Sequence, residues 1–193
     1  MRKVRVWPLL LPVVVLMIVW AVELFAEQTE DQPKISIRQL EPQTVLYTIF
    51  RGGYDKMGPA IGKLYALAAT KGIFPRGSLS CVYLNNPEYV SSEHLLIEIR
   101  IPVGKEAMEL VGTLGEMTDV KTLPAMEVAV AVKPVGQADP GTIYNRLYSW
   151  IAKQGYRAAD NACETFLTNN ERNYAKMKSE IMIPVKKLSI SKD

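Results

Sequence analysis

The chain has 193 residues, 48% of them hydrophobic and 22% charged, enough apolar material for one good core or two small ones. Its formal charge is +3, of which Arg2, Lys3 and Arg5 against Glu23 account for +2; the remaining +1 contains no lysine- or arginine-rich block, which argues against a nucleic-acid surface. One histidine, His94, and two cysteines outside any CxxC pattern argue against a histidine-rich metal site or a histidine-based triad, so no metal and no cofactor is expected.

A basic head, MRKVR, opens the chain, and an uncharged run of 17 residues follows from Val6 to Val22. That length is at the lower limit for crossing a hydrocarbon core of roughly 30 Å, and it exceeds a typical signal-peptide apolar region. Cleavage after Ala26 is open, although Leu24 is a poor match for the small residue expected two positions earlier. Residues 1–26 are therefore read as a signal peptide or a membrane anchor. Positive-inside logic keeps the basic head in the cytoplasm and places the rest outside it, anchored in the inner membrane or periplasmic or secreted if cleaved. Residues 27–34 form a polar linker, and the folded domain is expected over 35–190.

KISIRQL alternates Ile35 and Ile37 with polar neighbours, and QTVLYTIFRG is rich in β-branched and aromatic residues; both read as strands. A helix is predicted from about Lys56 to Lys71, with Met57, Ile61, Leu64 and Ala68 at helical spacing and Gly72 at its end. SLSCVYL and HLLIEIRIPV are two further strands, separated by the turn at Asn85 to Pro87. The pattern then starts again. MEVAVAVKP is a strand, and a helix opens with Asp139 as cap and Pro140 in its first turn, running through IYNRLYSWIAKQ to Gly155. CETFLTNN and KMKSEIMIPVKK are strands. Gly53 and Gly136, Leu64 and Leu147, and Gly72 and Gly155 are each 83 apart, while Glu98 and Glu180 are 82 apart. Coincident signals at one offset predict a duplication, with units 35–105 and 119–187 and a connector over 106–118.

RGGYDKMGPAIGKLYALAATKG, CVYLNNPE and IEIRIPV in the first half, with IYNRLYSWIAKQGY, CETFLTNN and SEIMIPVKK in the second, resemble the GyrI-like small-molecule-binding domain, the effector-binding domain of AraC-type and multidrug-sensing regulators. The resemblance covers nearly everything after residue 35. It implies an α+β fold of two βαββ-type units with antiparallel sheets, helices on one face and a ligand cleft on the other. Ala138 stands where the first half has Tyr54, which removes one aromatic from the expected cleft. The chain length leaves no room beside this domain for a helix-turn-helix, so a transcription factor of the usual kind is not expected.

Side chains alternate along a strand. Ile97, Ile99 and Ile101 therefore share one face and Leu96, Glu98 and Arg100 the other; Ser179, Ile181 and Ile183 oppose Lys178, Glu180 and Met182. Glu98 can be a water-facing residue paired with Arg100. The resemblance places the ligand-contacting glutamate at Glu180, before IMIPV, and offers Glu164 in CETF as a second candidate. A carboxylate in an apolar cleft can recognise a cation or, with a raised pKa, act as a general acid/base. Tyr83 and Phe166, on corresponding strands, are the leading aromatic candidates, with Tyr54, Trp150, Tyr47 and Tyr148 behind them. Tyr148 and Trp150 also fit a helix core. His94 is expected to be exposed, and Cys81 and Cys163 to be two separate buried thiols. The expected function is an exported or membrane-anchored protein holding a hydrophobic or cationic small molecule. The alternative is a hydrolase of strained, cyclopropane-like compounds using Glu180; a single histidine argues against a haem-binding relative.

Overall fold

The structure, a computed structural model, describes residues 34–133, 140–167 and 178–188. Nine strands form one antiparallel, curled sheet: β1 (Ile35–Leu40), β2 (Gln43–Arg51), β3 (Ser80–Tyr83), β4 (Leu96–Pro102), β5 (Thr118–Leu123), β6 (Met126–Lys133), β7 (Tyr156–Ala158), β8 (Cys163–Phe166) and β9 (Ser179–Lys187). Their spatial order is β1-β6-β9-β8-β3-β4-β2-β5, with β7 also pairing β9. Two helices, α1 (Met57–Thr70) and α2 (Pro140–Lys153), complete the framework.

Helix α1 forms because Met57, Ile61, Leu64 and Ala68 recur every three or four residues, and all four are buried. Gly72 ends it at φ +68°, a left-handed conformation that costs glycine nothing. The Ile73 amide donates to the Ala68 carbonyl at 2.8 Å and the Gly72 amide to Ala69 at 3.1 Å, a Schellman closure. Helix α2 also ends at a left-handed glycine, Gly155 at φ +73°, whose amide donates to the Ala152 carbonyl at 3.1 Å. Its buried stripe is Ile143, Leu147 and Ile151.

Strand register shows which face these helices cover. Ile99 pairs with Cys81, Cys81 with Glu164, Glu164 with Ile181 and Ile181 with Ala131, so these five residues lie in one row across the sheet. Helix α1 packs its stripe on Leu46, Cys81, Ile97, Ile99, Ile101 and Phe166. Helix α2 packs on Ala129, Ala131, Ile181, Ile183 and Val185. Both helices therefore cover the face to which Glu164 belongs. On the other face Val45, Val82, Val128 and Val130 are buried as well, which is why β6 reads as an unbroken apolar run.

The sheet corrects the expected organisation in three respects. It is one continuous sheet, joined through β3 and β8, where separate sheets were expected. Its edges are exchanged: β1 pairs with β6, and β5 pairs with β2, so the boundaries at 105 and 119 do not divide the pairing. Strands β5 and β7 have no counterpart in the sequence reading, because TDVKTL and YRA are too short and polar to stand out from turns. The connector also contains a short 3-10 turn, Lys105–Leu110, that buries Ala107. Gly136, Ala138, Asp139 and the run Val6 to Val22 lie outside the described residues, and among the described residues no helix is long and apolar enough to cross a membrane.

Candidate functional site

A charged residue stands in the middle of the apolar row. Glu164, on the short strand β8, is only 6% exposed. Burying a carboxylate is costly unless its oxygens are satisfied, and here the register supplies the partners. Ser179 lies directly opposite Lys133 across β9 and β6, and Phe166 opposite Ser179 across β8 and β9. These contacts bring Lys133 and Ser179 to one side of Glu164, while Tyr83 on β3 lies diagonally on its other side. The Lys133 Nζ and the Ser179 Oγ both donate to Glu164 Oε1, each at 2.5 Å. The Tyr83 hydroxyl donates to Oε2 at 2.7 Å. Bonds to an ionised carboxylate are charge-assisted, roughly twice as strong as neutral ones. Lys133 is itself enclosed, its side chain 13% exposed.

Aromatic rings surround this carboxylate. Tyr54, in the 3-10 turn that leads into α1, meets Tyr83 edge to face at 85°, with ring centroids 5.8 Å apart. Burial first and the Glu164 charge second hold the Tyr83 hydroxyl far above its ordinary range. The same two causes raise Tyr144, in the first half of α2, and to a lesser degree Tyr54. All three phenols remain neutral donors, as a carboxylate neighbour requires. Tyr54 is 47% exposed, so it lies at the mouth of the cluster, and Glu164 lies at its floor.

The sequence candidates separate into two groups. Glu164, Tyr83, Tyr54 and Phe166 are all on the helix-covered face, with Phe166 buried against α1. The strand alternation expected for Glu98 and Glu180 holds, and it puts both on the other face, so the candidates do not converge on one cleft. Glu180 is bound by Arg38, whose Nη1 and Nη2 donate to its two oxygens at 2.7 and 2.9 Å. That hydrogen bond, partly opposed by burial, holds the Glu180 carboxyl below its ordinary range. Glu98 pairs with Arg100 as expected, at 2.5 Å, but it is buried and also meets Lys121 at 2.6 Å. Lys121 in turn lies over the Tyr47 ring, 4.2 Å from its centroid. Trp150 packs partly buried beside the α2 core, and Tyr148 is exposed. His94 is exposed on a turn, with Nδ1 2.9 Å from the Ser91 hydroxyl.

Sequence reasoning missed Lys133, Ser179 and Tyr144. A parity signal for Lys133 was present, since it follows Ala129 and Ala131 on alternate positions of β6 and so falls on the helix face. Nothing local could reveal its partner on β8. The thiols of Cys81 and Cys163 are both free, and burial raises both. They sit on adjacent strands one register apart, so their side chains leave opposite faces of the sheet. Outside this cluster, an open groove of about 330 Å³ lies between α1 and β2, lined by Phe50, Ala60, Lys63, Leu64 and Leu67. It contains none of the cluster residues.

One curled antiparallel sheet, two helices on one face and a buried carboxylate among tyrosines between them define an α+β small-molecule-binding module. The GyrI-like small molecule binding domain matches residues 33–186, and the chain belongs to that family. No match is found among curated proteins. Solved structures share the fold. EcmrR in its DNA complex aligns with a TM-score of 0.67 and 16% identity over 91% of this chain, and this chain spans 65% of that one. The EcmrR C-terminal domain alone aligns at 0.64 and 17% identity, covering 81% of this chain and 99% of that one. A hydrolase from Listeria innocua aligns at 0.60 and 13% identity, covering 85% and 98%. At such identities the likeness is one of fold.

Proposed function

We propose that this protein binds a small, largely apolar ligand in the cleft between α1 and α2, against Tyr54, Tyr83 and Tyr144, with Glu164 as the polar floor. The observation that carries this reading is a buried carboxylate bonded to Tyr83, whose ring in turn meets the half-exposed Tyr54. Flat rings give apolar contact at low entropic cost, and the fixed polar groups orient what enters. The uncharged run from Val6 to Val22 behind a basic head supports tethering or export, with this domain outside the cytoplasm. Protease treatment of spheroplasts, whose outer envelope is opened, tests that part: digestion of the domain is expected, and full protection contradicts it. Thermal-shift screening against neutral and cationic aromatic compounds tests the cleft. A hit whose effect is lost in Tyr144→Ala and kept in Glu180→Gln is expected; the reverse pattern rejects the site.

A hydrolase of strained electrophiles is the second reading, favoured by the Tyr83 hydroxyl on Glu164 Oε2, a phenol acid beside a carboxylate base. Turnover of an activated cyclopropane by wild type and not by Tyr83→Phe would select it over binding alone.

A further inference from the structure

The carboxylate at the cleft floor is not free. Glu164 Oε1 accepts from Lys133 and Ser179 and Oε2 accepts from Tyr83, so the charge already has a partner supplied by the protein. The enclosed pair, each side chain 13% exposed or less, sums to zero. A ligand cation that reached Glu164 would either share one carboxylate with the Lys133 ammonium or displace it. Sharing sets two like charges together where water screens them little. Displacement leaves an ammonium without its counter-ion in an enclosed site, the costly outcome for any buried pair. A ligand anion meets the mirror-image difficulty, competing with Glu164 for Lys133. A neutral ring meets neither, and it keeps the apolar contact with Tyr54, Tyr83 and Tyr144.

We propose that Lys133 is a resident counter-ion that sets the specificity of this cleft, closing it to lipophilic cations and leaving it to neutral aromatic molecules. The inference rests on the cleft reading above and narrows its ligand class. Lys133 acts here by occupying Glu164, which separates it from a residue that merely braces the strand: its removal should raise affinity for one ligand class rather than lower affinity for all.

The test uses two probes of similar bulk, neutral triphenylphosphine oxide and cationic tetraphenylphosphonium, titrated calorimetrically into the full chain. Wild type is expected to bind the neutral probe at least about tenfold more tightly. Lys133→Met should improve the affinity for the cation by on the order of a hundredfold, the scale of a buried pair made or broken, and change the neutral probe by less than about threefold. Lys133→Met with Glu164→Gln, which removes both charges, should lose that gain. If Lys133→Met is unfolded alone, the cation and not the neutral probe should restore its circular dichroism; restoration by neither rejects the proposal. Equal cation affinity in wild type and Lys133→Met overturns the resident-ion account while leaving the cleft in place. Failure of both probes to bind either folded protein removes the cleft reading and this inference with it.

Discussion

Glu164 carries its charge where neighbouring positions in the row are cysteine and isoleucine, and three donors compensate for the water it loses. Removing one partner of such a pair costs more than removing both. Glu164→Gln is therefore expected to lower stability by about 3–5 kcal/mol in urea unfolding, with Lys133→Met in the same chain recovering most of the loss. Tyr83→Phe removes one hydrogen bond to a charged acceptor, and about 1.5–3 kcal/mol should go with it. The raised Tyr83 hydroxyl also fixes the sign of an alkaline effect. Below about pH 10 both the folded and the unfolded phenol are protonated and nothing changes; above it the unfolded chain ionises first, so stability falls as pH rises. Unfolding midpoints between pH 8 and 11 should fall more steeply in wild type than in Tyr83→Phe; parallel curves would contradict the assignment. Tyr83 was visible in the sequence because it and Phe166 lie on corresponding strands, and Glu164 only through the family resemblance. Lys133 was not, because its role depends on a partner two strands away in the sheet.

At the level of elements, the two repeated glutamates acquire a structural account. Glu98 on β4 meets Lys121 on edge strand β5, and Glu180 on β9 meets Arg38 on edge strand β1. In each case β2 or β6 lies between the partners, so each carboxylate ties an exchanged edge strand to its second neighbour. The Arg38 side chain is 46% exposed, which limits that pair to about 1 kcal/mol even with two-pronged geometry. Glu180→Gln should therefore change global stability little while speeding amide exchange along β1. Exchange in β1 unchanged from wild type would argue against the tie. Because Arg38 lowers the Glu180 carboxyl, this contribution is present above the ordinary carboxylate range and is lost as pH falls through the lowered value. Alternation in β4 and β9 and the glycine ends of both helices were legible, since each depends on residues a few positions apart. The exchange of β1 and β5 was not, since edge pairing is chosen by long-range packing of six-residue strands with weak patterns of their own.

Over the whole domain, continuity through β3 and β8 makes the halves interdependent. Strand β5 completes the edge beside β2 and β1 the edge beside β6, so neither expected unit contains its own full half-sheet. Residues 34–105 alone should not fold, and Leu147→Ala beneath α2 should destabilise a single cooperative transition by about 2–5 kcal/mol. Calorimetry showing two separate transitions, with only one moved by Leu147→Ala, would contradict that coupling. The family resemblance made the fold class readable, but it could not assign candidates to faces. Alternation set Glu180 apart from the isoleucines, but bringing Glu164 into their row under the helices needed the register.

The most direct measurement is a residue-resolved nuclear magnetic resonance titration of the folded domain with triphenylphosphine oxide. The largest shifts are expected at Tyr54, Tyr83, Tyr144 and Glu164, with Arg38 and Glu180 unmoved. Shifts centred on Arg38 and Glu180, with the tyrosines between the helices unchanged, would contradict it.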